Sequence, residues 1–137
     1  MATFVFTDAS LVVNSVDLSA YVQSVTLNYN PELQDDTAMG DTARSRAQGL
    51  IDWSMDVTFF QDFDSGTVDD TLFSIASGSA SVSAVLKPTS AAVSTSNPSY
   101  TGNVVIGTYQ AVAGTVGDMA TVTVNFASAG TLTRATA

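Results

Sequence analysis

In the stretch 50–62, LIDWSMDVTFFQD, Ile51, Trp53, Met55, Val57 and Phe59 take every second position, and Asp52, Ser54, Asp56 and Thr58 fill the gaps. A period of two puts the first set on one face of a β-strand and the second set on the other. One face of this strand is therefore built for a core, and the opposite face is acidic. A strand of this length belongs to a sheet that curls or that runs on beyond one domain.

Other segments repeat the pattern at shorter length. Residues 20–30, AYVQSVTLNYN, alternate Tyr21, Gln23, Val25, Leu27 and Tyr29 against Val22, Ser24, Thr26 and Asn28, and Pro31 is expected to end the strand. Near the start, TFVF and LVV flank TDAS and read as a short hairpin or a pair of edge strands. Ser81–Lys87 alternates up to Pro88, residues 100–112 are strand-like, and MATVTVNF alternates Ala120, Val122, Val124 and Phe126 with Thr121, Thr123 and Asn125. A last short strand, TLTR, follows the turn SAG.

Two segments break the β pattern. Residues 67–77 form the one convincing helix: Val68, Leu72, Phe73, Ile75 and Ala76 fall on one face, Asp69 and Asp70 sit in the first turn, Gly78 stops it, and Thr67 or Ser65 supplies an N-cap. Residues 32–49, ELQDDTAMGDTARSRAQG, show no alternation and run acidic first and basic second. They predict a long exposed loop with a short helical turn near 42–48, with a disordered hairpin tip as the alternative that so polar a composition allows. Its charge split suggests pairing between Asp35, Asp36 and Asp41 of one copy and Arg44 and Arg46 of another, a contact that sets orientation more than affinity. The fold class expected is all-β, sandwich- or barrel-like, with one flanking helix and this long extended loop; at 137 residues the chain reads as one domain, 1–137.

The chemistry available is narrow. With no cysteine and no histidine, disulfides, thiolate nucleophiles, a Ser-His-Asp relay and histidine-ligated metals are excluded. DFDSG at 62–66 resembles the opening of a calcium loop, but its glycine comes one place early and no bidentate Glu follows, so a turn that caps the helix is the better account. Asp52 and Asp56 share a strand face, yet their neighbours are small and polar and supply no catalytic cleft, so an exposed acidic face is expected rather than a glycosidase pair. No phosphate loop and no nucleophile elbow are present. No cofactor, no metal and no enzymatic activity are expected.

Net charge is −9, with four basic residues against thirteen acidic ones. Gripping nucleic acid needs several cations to displace counterions, so DNA binding is not expected. Only 12% of residues are charged, about half the share of an average soluble domain. A surface of Ser, Thr and Ala fits two readings, burial in repeated subunit contacts at low desolvation cost and a solvated Ser/Thr-rich sandwich. The first ten residues lack the basic flank and apolar core of a leader, and no segment is long enough to span a bilayer. Synthesis in a cytoplasm and a soluble product are expected.

The order of an N-terminal strand pair, the polar segment DDTAMGDTARSRAQGL, the strand DWSMDVTFFQDF, the helix TVDDTLFSIASG and the closing VGDMATVTVNFASAGTLTR resembles the tail tube proteins of long-tailed bacteriophages. The resemblance covers nearly the whole chain and is one of pattern, not of an invariant motif. It implies a virion structural protein, assembled in the host cytoplasm, whose sheets join into hexameric rings that stack into a hollow tail tube. It also implies a lumen through which genome DNA is ejected without specific binding, and other tail proteins as partners at the tube ends. On this reading Asp52 and Asp56 are the lumen-charge candidates, and the loop with Asp35, Asp36, Asp41, Arg44 and Arg46 reaches a neighbouring subunit or ring. A capsid decoration or other virion structural protein is the alternative. A carbohydrate-binding β-sandwich using Tyr100 and Tyr109 as stacking platforms is a third reading.

Overall fold

The computed structural model describes residues 7–78 and 80–136. The strands are β1 (Ser10–Val13), β2 (Val16–Asp17), β3 (Val22–Asp35), β4 (Arg46–Phe60), β5 (Val82–Lys87), β6 (Ser99–Tyr109), β7 (Thr121–Ser128) and β8 (Thr133–Ala135), with one helix, α1 (Val68–Ser77), between β4 and β5. They form one antiparallel sheet in the order β2-β1-β5-β6-β7-β4-β3, and β8 continues along β6 beyond the end of β7. The run Thr3–Phe6, expected as a strand, lies outside the described residues.

β4 is central to the core, as its alternation implies. Trp53, Met55, Val57 and Phe59 are each at most 1% exposed, and the last three face Phe126, Val124 and Val122 of β7 across the ladder. Leu11 and Val13 of β1, near the other end of the strand order, belong to the same buried cluster, together with Val68, Leu72 and Ile75 of α1. A ten-residue helix cannot cover eight strands, so the sheet closes its own apolar face by curling. Removing each such aliphatic or aromatic side chain from water contributes about 1.5–3 kcal/mol.

Several local expectations change. Ile51 is 43% exposed, because β7 pairs with β4 only from Ser54 onward and the earlier residues run past the body of the sheet. In β3 a register shift between Val22 and Ser24 turns Val22, not Gln23, toward the core, and Tyr21 ends a short 3-10 turn before the strand. The helix buries Val68, Thr71, Leu72 and Ile75, whereas Phe73 and Ala76 are exposed. Rotation of 100° per residue sets Phe73 about 100° from Leu72 and about 160° from Ile75. The Thr67 side chain does not cap the helix; its hydroxyl donates to the carbonyls of Asp62 and Asp64, and the Asp70 carboxylate accepts from the Gly66 amide instead. At the β1–β2 turn, Asn14 and Ser15 both take positive φ, as a two-residue hairpin loop requires.

Segment 32–49 differs most from its expectation. β3 does not stop at Pro31; it runs to Asp35, and β4 starts at Arg46, so most of the expected loop is the paired arms of a long hairpin, with a tip at 36–45 and no helical turn. Among the described residues β3 is the last strand of the sheet, and Pro31 sits there next to a register irregularity, positions at which a strand tolerates proline. The arms re-register between Pro31 and Leu33, and this irregularity hides the alternation in the sequence.

Candidate functional site: the acidic sheet face and the β3–β4 hairpin

Asp52, Ser54, Asp56 and Thr58 occupy the face of β4 opposite Trp53, Met55, Val57 and Phe59, and both carboxylates are exposed. Directly opposite residues in a ladder share a face. On the β3 side Asp52, Ser54, Asp56 and Thr58 pair with Asn30, Asn28, Thr26 and Ser24, and on the β7 side Ser54, Asp56 and Thr58 pair with Ala127, Asn125 and Thr123. The result is a three-strand patch of hydroxyls, amides and two carboxylates without a cation, since the basic residues are Arg44, Arg46, Lys87 and Arg134.

Asp56 is held in place. Asn125 donates an Nδ2–H to Asp56 Oδ1 at 2.8 Å, and Asn28 donates to Oδ2 at 3.3 Å. Ser128 donates more weakly to Asp52 Oδ1, at 3.3 Å. Such partners keep the carboxylates oriented without neutralising them. Among the described residues no group of acidic side chains is arranged to hold a metal ion.

The hairpin beyond Ser54 is two-stranded, and an isolated pair of strands has little stability of its own. Its tip is tied down by polar contacts: Arg44 donates to Asp35 at 2.7 Å, the Asp36 amide to the Ser45 carbonyl at 3.0 Å, and the Ser45 amide to Thr37 Oγ1 at 2.8 Å. Asp41 accepts from the Ala38 amide at 2.7 Å. Thr37, through its side chain and its amide, and then Arg44 hold the Asp35 carboxyl below its usual range. Asp35 and Arg44, expected to meet across copies, therefore pair within one hairpin, where register brings Asp35 opposite Arg46 and close to Arg44. Arg46 is exposed and makes no salt bridge among the described residues.

Sequence reasoning placed Ile51 and Tyr29 in strand alternation and did not single out Leu33, Met39 and Leu50 on this hairpin. Tyr29, Leu33, Met39, Leu50 and Ile51 are all exposed. Tyr29, Ile51 and Leu132 line a groove of about 500 Å³ beside Trp53. The available signal was the apolar pair Leu50–Ile51 in a segment with little else to bury.

The other candidates resolve into structural roles. Asp62 accepts from the Asp64 amide and Asp70 from the Gly66 amide, so Asp62 of DFDSG and Asp70 of the helix organise the turn into α1. Tyr109 packs against the core and its hydroxyl donates to Asp69 at 2.6 Å, which does not suit it to stacking on a sugar. Burial, with the Asp69 hydrogen bond adding to it, pushes the Tyr109 phenol up to about 12. Tyr100 is half-buried in β6 between β5 and β8.

No protein-family model matches the chain, and no curated protein matches it. Solved structures do. A chain from the virion of a native gene transfer agent particle is similar over 93% of this chain and 95% of its own, at 16% identity and a TM-score of 0.75. The SPP1 tail tube, a hybrid structure from solid-state NMR and cryo-EM, is similar over 95% of this chain and 77% of its own, at 12% identity and a TM-score of 0.74. A chain from the tail of an empty gene transfer agent particle, computed with C6 symmetry, matches over 82% and 81% at 16% identity and a TM-score of 0.66. At such identities what is shared is the fold: this chain has the fold of the SPP1 tail tube subunit and of the gene transfer agent tail.

Proposed function

We propose that the chain is a tail tube subunit of a phage or phage-like particle, a structural and non-enzymatic component of the virion tail. Copies join edge to edge into hexameric rings, and the rings stack into a hollow conduit for genome DNA. The carrying observation is the fold shared with the SPP1 tail tube over 95% of this chain; the sixfold symmetry of the gene transfer agent tail supports the ring number. β3, 14 residues long and without a partner on its outer side among the described residues, supplies the edge for a neighbouring sheet.

In the ring, the face carrying Asp52 and Asp56 lines the lumen. DNA phosphates are repelled by carboxylates and find no Lys or Arg on that face to hold them, so the duplex slides. Screening confines such repulsion to about 8 Å at physiological salt, which is why the charges belong on the lumen wall itself. The β3–β4 hairpin reaches a neighbouring subunit or ring, and other tail proteins close the ends.

Negative-stain electron microscopy of the purified protein at low and high concentration tests the reading. Hollow tubes or stacked rings are expected. Monomers or isolated small particles at every concentration, unchanged by a tail-tip initiator, would overturn it in favour of a capsid decoration protein.

A further inference from the structure

Gly107 interrupts the pairing of β6 with β7. Ile106 lies opposite Phe126 and Thr108 opposite Asn125, so Gly107 is the extra residue of a β-bulge. A bulge re-aims the side chains beside it. Here a Cβ on residue 107 would lie 2.9 Å from Asn125 Oδ1, closer than unbonded atoms settle, while the next nearest atom is 3.8 Å away. The space that a side chain at 107 would need is thus taken by the Asn125 amide and by little else.

The other end of that amide faces Asp56. Its Nδ2–H is the donor to Asp56 Oδ1 at 2.8 Å, and Asn28 of β3 holds Oδ2 at 3.3 Å. Gly107, Asn125, Asp56 and Asn28 therefore form one line across β6, β7, β4 and β3. A carboxylate drawn from both sides is centred over its own strand. Asp52, with the single donor Ser128 at 3.3 Å, is not held in this way.

We propose that Gly107 and Asn125 are positioning residues for Asp56: the glycine leaves the place in which the Asn125 amide sits, and the amide fixes where the carboxylate carries its charge on the sheet face. What that charge does to passing DNA rests on the tail tube reading, whereas the positioning is a property of the single subunit.

The full chain carrying Gly107→Ala, Asn125→Ala or both tests it. Folding is read by thermal melts, and the Asp56 carboxyl carbon and the Asn28 side-chain amide are followed by NMR. Alanine at 107 meets the far end of a side chain, so the Asn125 amide should turn aside with little change in melting temperature. Gly107→Ala should then shift the Asp56 and Asn28 signals as Asn125→Ala does. It should add no further shift once Asn125 is gone, since the two residues act through one contact. Asp56 and Asn28 signals that stay in place in Gly107→Ala, or that move as much without Asn125 as with it, would overturn the proposal. So would a large fall in melting temperature on Gly107→Ala, because the glycine would then serve the bulge and not the amide. Each of these outcomes leaves the tail tube reading standing; that reading fails separately, if the wild-type protein forms neither rings nor tubes.

Discussion

The Trp53 indole occupies the space in front of Gly102: a Cβ on Gly102 would lie 2.4 Å from Cζ2 and 2.7 Å from Cη2 of the ring. Trp53 Nε1 donates to the Gly130 carbonyl at 2.8 Å, so the ring is fixed against both β6 and the β7–β8 turn. Gly102→Ala should destabilise the fold by about 1–3 kcal/mol through overpacking, read as a lower urea midpoint with an unchanged slope. A midpoint equal to wild type would show that the indole has another place to go.

Asn97 organises the connection from β5 to β6. It is 5% exposed; its Oδ1 accepts from the Thr89 amide at 3.1 Å and its Nδ2 donates to the carbonyls of Ala91 and Ala92 at 2.9 and 3.2 Å. Asn97→Ala leaves those groups unpaired in a partly buried site and should cost about 1–3 kcal/mol. Asn97→Asp should cost more, because a carboxylate would face carbonyl oxygens. Chemical denaturation of the two variants gives the order directly; equal stabilities would contradict it.

The Tyr109–Asp69 hydrogen bond joins β6 to the first turn of α1. The folded-state phenol is raised from 10.0 to about 12, so its contribution to stability is complete below the unfolded value and is lost as pH climbs from near 10 through about 12. Melting temperature should fall across that window in the wild type. Tyr109→Phe, which cannot ionise, should lower stability by about 1 kcal/mol at neutral pH and flatten the alkaline decline. An equally steep decline in the variant would assign the effect to other groups.

Asp52 and Asp56 are exposed, and replacing them should leave the fold intact. On the proposed tail tube function, Asp52→Lys with Asp56→Lys turns a repelling lumen face into an attracting one, so tubes of this variant should retain duplex DNA in low salt and release it as salt rises. The matched Asp→Asn pair should retain none. DNA delivery as fast through the lysine tubes as through wild type would remove these residues from the lumen wall.

Arg44 and Asp35 form the one salt bridge among the described residues, with both side chains largely exposed. Exposed pairs contribute about 0–1 kcal/mol. Arg44→Ala should thus barely move the melting temperature. A large loss of stability would mean that the hairpin is coupled to the core more tightly than its two-stranded arms suggest.

Within β4 the sequence by itself determined which side chains enter the core from Trp53 to Phe59, because a strand half-covered by one layer must alternate, and it placed Asp52 and Asp56 together on the other face for the same reason. It also determined the single helix, whose spacing and acidic first turn are local properties, and it excluded thiol and imidazole chemistry by composition. What it could not decide were relations between distant segments. Ile51 has the same place in the alternation as Trp53, but only the tertiary structure shows that β7 ends before reaching it. Segment 32–49 lacks alternation because its arms are solvated on both sides and re-register near Pro31, so no burial pattern was imposed on its residues. Gly102 and Trp53 are 49 positions apart in the chain, and the fit between them arises only when β6 and the β7–β8 turn close over β4. Periodicity reports the environment of a residue within its own strand; which strand lies beside it, and where that strand stops, is set by packing.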